Sequence, residues 1–215
     1  QIHTVYLDAF WIDQTEVTNK QYKACVDAGT CEPPSDTSSY THPSYYGNPE
    51  FDNYPVVYVN WDKANRYCKV WTGTGGSLPT EAQWEKAARG TDAHAYPWGE
   101  GISCDKANYY DSTYCVGDTT PVGSYPDGAS FYGVLDMVGN VSEWVNDWYG
   151  KTYYKEWYKD SDSSNNPVGP ESGQYRVLRG GSWDDSDYNV RSSFRLWYAQ
   201  TESVNYFGFR CSRSP

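Results

Sequence analysis

Six cysteines in 215 residues constrain this chain more than any other feature, because four of them fall in close pairs. Cys25 lies near Cys31 and Cys104 near Cys115, which leaves Cys68 and Cys211 far apart in sequence. Six thiols allow 15 pairings, and this spacing favours the one that joins Cys25 to Cys31, Cys104 to Cys115 and Cys68 to Cys211. An even count in loop-closing pairs points to disulfides formed in an oxidising compartment, since a metal site gathers Cys or His more tightly. A bridge from Cys68 to Cys211 would tie down the C-terminus and stabilise by up to about 5 kcal/mol in the chain-entropy description. The expected location is extracytoplasmic, secreted or surface-displayed.

With 38% hydrophobic and 21% charged residues and no shift in composition, residues 1–215 read as one domain around one sizeable core. Ten Trp and 22 Tyr against a single Met make that core one of rings whose N–H and O–H groups need partners. A net charge of −11, with basic residues scattered, argues against a nucleic-acid partner and against anionic membrane surfaces. No apolar run approaches the roughly 20 residues that span a bilayer, so membrane insertion is not expected either. Gln1 leads straight into a strand-like stretch without a signal peptide, as in a mature or trimmed form.

The run from Val5 to Ile12 alternates and is aromatic or β-branched enough for a strand, and Thr15-Glu16-Val17-Thr18 then introduces a helix carrying Tyr22 and Cys25. Residues 32–54 show no period and read as loop. Pro55-Val56-Val57-Tyr58-Val59 reads as a short strand, and Asp62 to Trp71 as a helix that places Ala64, Tyr67, Cys68 and Trp71 on one face. Thr80-Glu81-Ala82-Gln83 has the form of a capping box for a third helix running to Ala88, with Trp84 inward. Beyond Gly90 the turn signals Tyr96-Pro97-Trp98-Gly99 and Gly123-Ser124-Tyr125-Pro126 leave no room for a helix of any length. Short helices early and irregular β structure late make an α+β domain.

Five motifs stand in order along this frame: residues 13–19 (DQTEVTN), 78–85 (LPTEAQWE), 136–144 (DMVGNVSEW), 177–183 (VLRGGSW) and 207–211 (FGFRC). Together they make the chain resemble the formylglycine-generating enzyme (sulfatase-modifying factor) family over nearly its whole length. The resemblance implies a compact, loop-rich, C-type lectin-like fold and agrees with the bridge from Cys68 to Cys211.

Catalysis does not follow from that fold. Enzymes of the family hold copper on a cysteine pair shortly after the Gly-Gly-Ser motif, whereas here the chain runs from Asp184 to Arg210 without a thiol. Soft Cu(I) requires thiolate, so no copper is expected, and oxidation of a protein cysteine is the alternative rather than the leading function. His3, His42 and His94 are isolated, which leaves no zinc or iron site, and Asp184, Asp185 and Asp187 read as a solvated loop rather than a carboxylate catalyst.

The family also binds Ca²⁺ at the turn matching residues 136–143. Carried across, Asp136 and Glu143 would supply carboxylates and Gly139 and Val141 carbonyl oxygens, donors suited to a hard cation, and a structural Ca²⁺ is expected. A second family site would start at Asn108 and Tyr109, with Asp111 or Asp118 replacing its broken acidic partner. Asn140-Val141-Ser142 matches a glycosylation pattern but lies within the turn.

Between Trp183 and Tyr206, aromatic rings alternate with acids and arginines, residue types that carry binding energy at interfaces. One branch of the family, the variable proteins of diversity-generating retroelements, has a segment of this form in which Asn codons are scrambled at their adenines. Asp184, Asp185, Ser186, Asp187, Tyr188, Phe194, Leu196, Tyr198, Val204, Asn205 and Tyr206 are all permitted outcomes of that scrambling, whereas Trp197, Gln200 and Glu202 are not. These eleven positions are the expected ligand-binding set. Trp183, Trp197 and Phe209 are expected in the core, and Arg179, Arg191, Arg195 and Arg210 as framework residues paired with acids. The function expected is a non-catalytic protein displaying residues 183–206 to a protein or carbohydrate ligand on a cell or virion surface. A sensor or adhesion module of a larger bacterial surface protein is a further alternative.

Overall fold

Thr18 and Thr80 open two helices in the same way. Each hydroxyl accepts the amide of a Gln three residues on, and that Gln returns its side-chain oxygen to the threonine amide. The computed structural model describes residues 4–71, 75–92, 94–157 and 165–215, without the side chains of Trp71, Glu156 and Trp157. Helix α1 (Asn19–Asp27) buries Tyr22 and Cys25, and α2 (Trp61–Trp71), capped by Asn60, buries Ala64, Tyr67 and Cys68. The expected place of Trp71 on that face lies outside the described residues. Helix α3 (Glu81–Arg89) turns Trp84, Ala87 and Ala88 inward and stops at Gly90, where φ is +66°. All three begin within a residue or two of the sequence expectation. Beyond Gly90 the described residues contain one α-helix, the five-residue α4 (Tyr153–Trp157).

The strands are β1 (Trp11–Ile12), β2 (Gly76–Ser77), β3 (Tyr110–Asp111), β4 (Thr113–Tyr114), β5 (Ser142–Trp148), β6 (Arg176–Arg179), β7 (Leu196–Tyr198), β8 (Phe207–Gly208) and β9 (Ser212–Arg213). Four form a sheet in the order β7-β6-β5-β8, antiparallel except that β5 and β8 run parallel. A second sheet sets β9 between β1 and β2, and β3 and β4 make a hairpin. Trp144, Leu178, Phe207 and Phe209 from or beside the large sheet pack with Tyr22, Tyr67 and the bridged cysteines of α1 and α2 in the main core cluster. A second cluster joins Trp84, Ala87 and Ala88 to Met137, Val145 and Val177.

Two expected strands differ. From Val5 to Ile12 only β1 is paired in a sheet, with an isolated bridge from Tyr6 to Asn165; Tyr6 and Trp11 stay exposed because no neighbouring strand covers them. The run Pro55–Val59 buries its three valines, but Tyr58 takes a φ of +58° and breaks the extension. Its amides pair with Val17 and Val204 in separate loops rather than along a ladder. The three disulfides are those expected, with Cα separations of 5.3–5.4 Å. The bridge from Cys68 to Cys211 ties α2 to the step between β8 and β9 across 143 residues.

Candidate binding face

Two buried charge clusters lie beneath or beside residues 183–206, and the first of them bonds directly to the segment. The first is centred on Glu81 at the start of α3, which is 1% exposed. Arg195 grips both its oxygens at 2.6 and 2.7 Å, while Arg179 reaches Glu81 at 2.6 Å, Glu85 at 2.7 Å and the Ser192 carbonyl. The second joins Arg210 to both oxygens of Glu143 at 2.7 Å, with the Trp84 indole donating to the same carboxylate at 2.9 Å. Fork-to-carboxylate pairs of this kind fix orientation, and losing one partner strands a buried charge. Beside Glu81, Asp147 has one oxygen on the Glu81 amide at 2.7 Å and the other buried without a hydrogen bond. Burial, reinforced by the Glu81 charge, pushes the Asp147 carboxyl up to about 8.

The segment leaves β6 through Gly180 and Gly181, whose φ values are +87° and +65°. A Cβ on Gly181 would stand 2.7 Å from Val190 Cγ1, so only glycine lets the chain turn back this tightly. Asp184, Asp187, Tyr188 and Tyr198 then face solvent. Asp185, Ser186, Phe194, Leu196, Val204, Asn205 and Tyr206 are half-buried. Asp185 spends one oxygen on the Ser182 amide and hydroxyl, and Leu196, Val204 and Tyr206 lean on the main core cluster. Burial, with Tyr198 nearby, raises the Tyr206 hydroxyl to about 12.

Two framework assignments need correction. Trp197 is 42% exposed because β7 is an edge strand; its outward ring stacks on Tyr149 at 4.2 Å instead of entering the core. Arg191 forms no ion pair with an acid among the described residues and lays its guanidinium 4.7 Å over the Tyr188 ring. Trp183 and Phe209 are buried as expected, and Arg179, Arg195 and Arg210 meet acids.

Three tyrosines outside the segment join it. Tyr40, from the loop after α1, and Tyr114, from β4, approach the buried Trp183 ring to 5.1 and 5.7 Å, and Tyr110 packs edge-on against Tyr114. Backbone and side chain lock them there: the Tyr110 amide donates to the Asp185 carbonyl at 2.9 Å, and the Tyr114 hydroxyl to Asp184 Oδ1 at 2.8 Å. The bridge between Cys104 and Cys115 staples the hairpin that carries two of them. Tyr density inside a cysteine-closed loop was the available sequence signal, but nothing local said which face that loop would meet.

Of the expected calcium ligands, Glu143 already has protein partners. Glu143 has both oxygens held by Arg210 and Trp84, and Arg210 also donates to the Leu135 and Asp136 carbonyls at 2.9 and 3.4 Å. Of the four expected donors Asp136, Gly139, Val141 and Glu143, Arg210 thus engages the Glu143 carboxylate, and a Ca²⁺ there would compete with it for those oxygens. The Asp136 carboxylate meanwhile accepts the Gly123 amide at 2.6 Å. At the second site Asp118 is taken by Ser39 and Thr41, and Asp111 points outward on β3. Among the described residues no group of three His, Cys, Asp or Glu side chains is placed to hold a metal. Asn140 is buried with its amide on Glu16 and Thr120, which accounts for the glycosylation pattern as a structural residue.

Short helices, mixed sheets and a C-terminus bridged back to α2 define an α+β domain of the C-type lectin-like kind. The sulfatase-modifying factor enzyme 1-like domain matches residues 1–215, and the chain belongs to that family. It is 34% identical over 232 residues to the serine/threonine-protein kinase pkn1 of Chlamydia caviae, covering 99% of this chain and 34% of that protein. The chain thus spans about a third of that relative's length. Identity to the formylglycine-generating enzyme of Thermomonospora curvata is 35% over 179 residues, covering 76% of this chain and 56% of the enzyme. Among solved structures, Treponema denticola variable protein 1 superposes with a TM-score of 0.74 at 24% identity, over 99% of this chain and 87% of the other. That last likeness is one of fold. All six cysteines here are disulfide-bonded, and none lies between Asp184 and Arg210. Among the described residues no helix is long and apolar enough to cross a membrane.

Proposed function

We propose that this domain is a non-catalytic binding module that displays residues 183–206 to a partner outside the cytoplasm. The observation that carries this is the two-sided character of the segment: Arg195 within it, like Arg179 and Arg210 on its flanks, is sunk into a buried carboxylate, while Asp184, Asp187, Tyr188 and Tyr198 project from the fixed base. A rigid support with solvent-facing rings and acids is what a recognition surface requires, because little ordering is left to do on binding. Disulfide bonding of every cysteine supports both the absence of thiolate copper chemistry and an oxidising compartment. The finer reading is a diversity-generating retroelement variable protein, supported by the permitted residue types at the outward positions and by the fold shared with the Treponema variable protein.

The deciding measurement is oxygen consumption with Cu(I) and a cysteine-bearing peptide. No turnover is expected, and formylglycine formation would overturn the reading. At the genome level, a near-identical repeat with adenines at codons 184–206 beside a reverse-transcriptase gene is expected for the finer reading; its absence leaves an ordinary binding member of the family.

A further inference from the structure

The outward face around Trp183 is larger than the 183–206 segment and has one sign of charge. Tyr40, Tyr110 and Tyr114 are 63%, 37% and 44% exposed, and they abut Asp184 and the buried Trp183 ring across three stretches distant in sequence. Asp111 on the hairpin, with Asp184 and Asp187, adds exposed carboxylates to the same group of loops. Residues 36–46, 108–118 and 183–190, the stretches that build this face, contain no Lys or Arg. Arg191, the first cation beyond them, is already covered by Tyr188.

Tyrosine faces attract cations through the ring quadrupole, and guanidinium also stacks on them flat. Carboxylates at the rim steer a positive partner toward the face and repel a negative one. Rings alone would suit a neutral sugar equally well. Rings framed only by acids, in a chain of net charge −11, do not suit an anionic one.

We infer that Tyr40, Tyr110, Tyr114 and the exposed acids Asp111, Asp184 and Asp187 form, with the displayed segment, a docking surface for an arginine- or lysine-bearing segment of a partner protein. This rests on the display function proposed above and names the chemistry of the partner. The hairpin and the loop after α1 are then fixed parts of the face. They supply stacking and charge to any partner, while the segment between them sets which partner fits.

The test is titration of the labelled protein, followed by amide and indole NMR, with three probes: acetyl-Gly-Arg-Gly-Arg-Gly-amide, its citrulline analogue, and cellohexaose. The arginine peptide is expected to shift signals of Tyr40, Tyr110, Tyr114 and Trp183 saturably, and to bind less tightly as salt rises. The triple variant D111N/D184N/D187N is expected to weaken it about tenfold, the combined size of three exposed charge pairs. Tyr40→Ala with Tyr114→Ala, both on exposed rings, is expected to weaken it by a similar factor. A control triple variant of exposed acids outside the face, E50Q/D62N/E171Q, is expected to change it less than twofold.

Equal binding of the citrulline analogue, tighter binding of cellohexaose that survives D111N/D184N/D187N, or shifts spread evenly over the acidic surface would each overturn the inference. The first two would leave display itself standing, since a ligand would still occupy the face. Failure of the display function is read separately, by turnover in the oxygen assay.

Discussion

The arginines beneath residues 183–206 and the tyrosines above them lie within or next to the same short stretch yet answer to different physics. Arg195 is locked to Glu81, and Arg210 just past the segment to Glu143, each by two hydrogen bonds, in surroundings where a lost partner leaves an uncompensated charge. Tyr188 packs its ring against Arg191 and Phe194 and stands 59% exposed. The difference shows how one segment can be both rigid and replaceable: orientation is set in the buried layer, and chemistry in the exposed one.

The sharpest way to break this contrast is to remove an arginine from the buried layer. Arg210→Ala strands Glu143, and an unfolding free-energy loss of about 3–5 kcal/mol is expected in a urea titration. A loss below about 1 kcal/mol would mean the pair is not the support described here.

A smaller effect lies in the pH dependence of the same layer. Asp147 has a folded value near 8 against an ordinary carboxylate value of 3.8, so the fold favours its protonated form. That contribution is complete below about pH 4 and is lost as pH rises through about 8. Thermal unfolding scans across this window are expected to show a decline that Asp147→Asn flattens. An unchanged slope in the variant would assign the decline to other groups.

The smallest effect is expected from the exposed layer. Tyr188→Ala and Asp187→Ser should each change stability by no more than about 0.5 kcal/mol, as surface substitutions usually do. A cost of about 2 kcal/mol from either would place it in the support instead and end the distinction between layers.

How much of this could be read in advance depended on how local its cause was. The capping boxes at Thr18 and Thr80 announced their helices because a few neighbouring residues settle a cap. The cysteine pairing was legible from spacing. Pro55–Val59 misled because its alternation matched a strand, while the deciding facts, a positive φ at Tyr58 and partners in two loops, are tertiary. Trp197 misled for a related reason: hydrophobicity says that a ring seeks cover, but only topology says that β7 is an edge. Residue type marked eleven positions of the segment, of which Asp184, Asp187, Tyr188 and Tyr198 face solvent and seven are half-buried; Tyr40, Tyr110 and Tyr114 were not legible, because their place beside Trp183 depends on how two distant loops fold back. The calcium ligands were carried over by motif, which gave no sign that Arg210 would engage one of them, Glu143.

The order of strands in the large sheet bears on how this surface could change over generations. The chain enters the segment from β6 and leaves it into β8, which flank β5 on opposite sides. Both ends are therefore moored to the same central strand, whatever lies between them. The entropy of closing a loop between fixed posts grows only with the logarithm of its length, about 0.6 kcal/mol per doubling. Insertions between Trp183 and Val190, or between Tyr198 and Tyr206, would lengthen the reach of the face at little thermodynamic expense, giving the scaffold a route to new contours as well as new side chains.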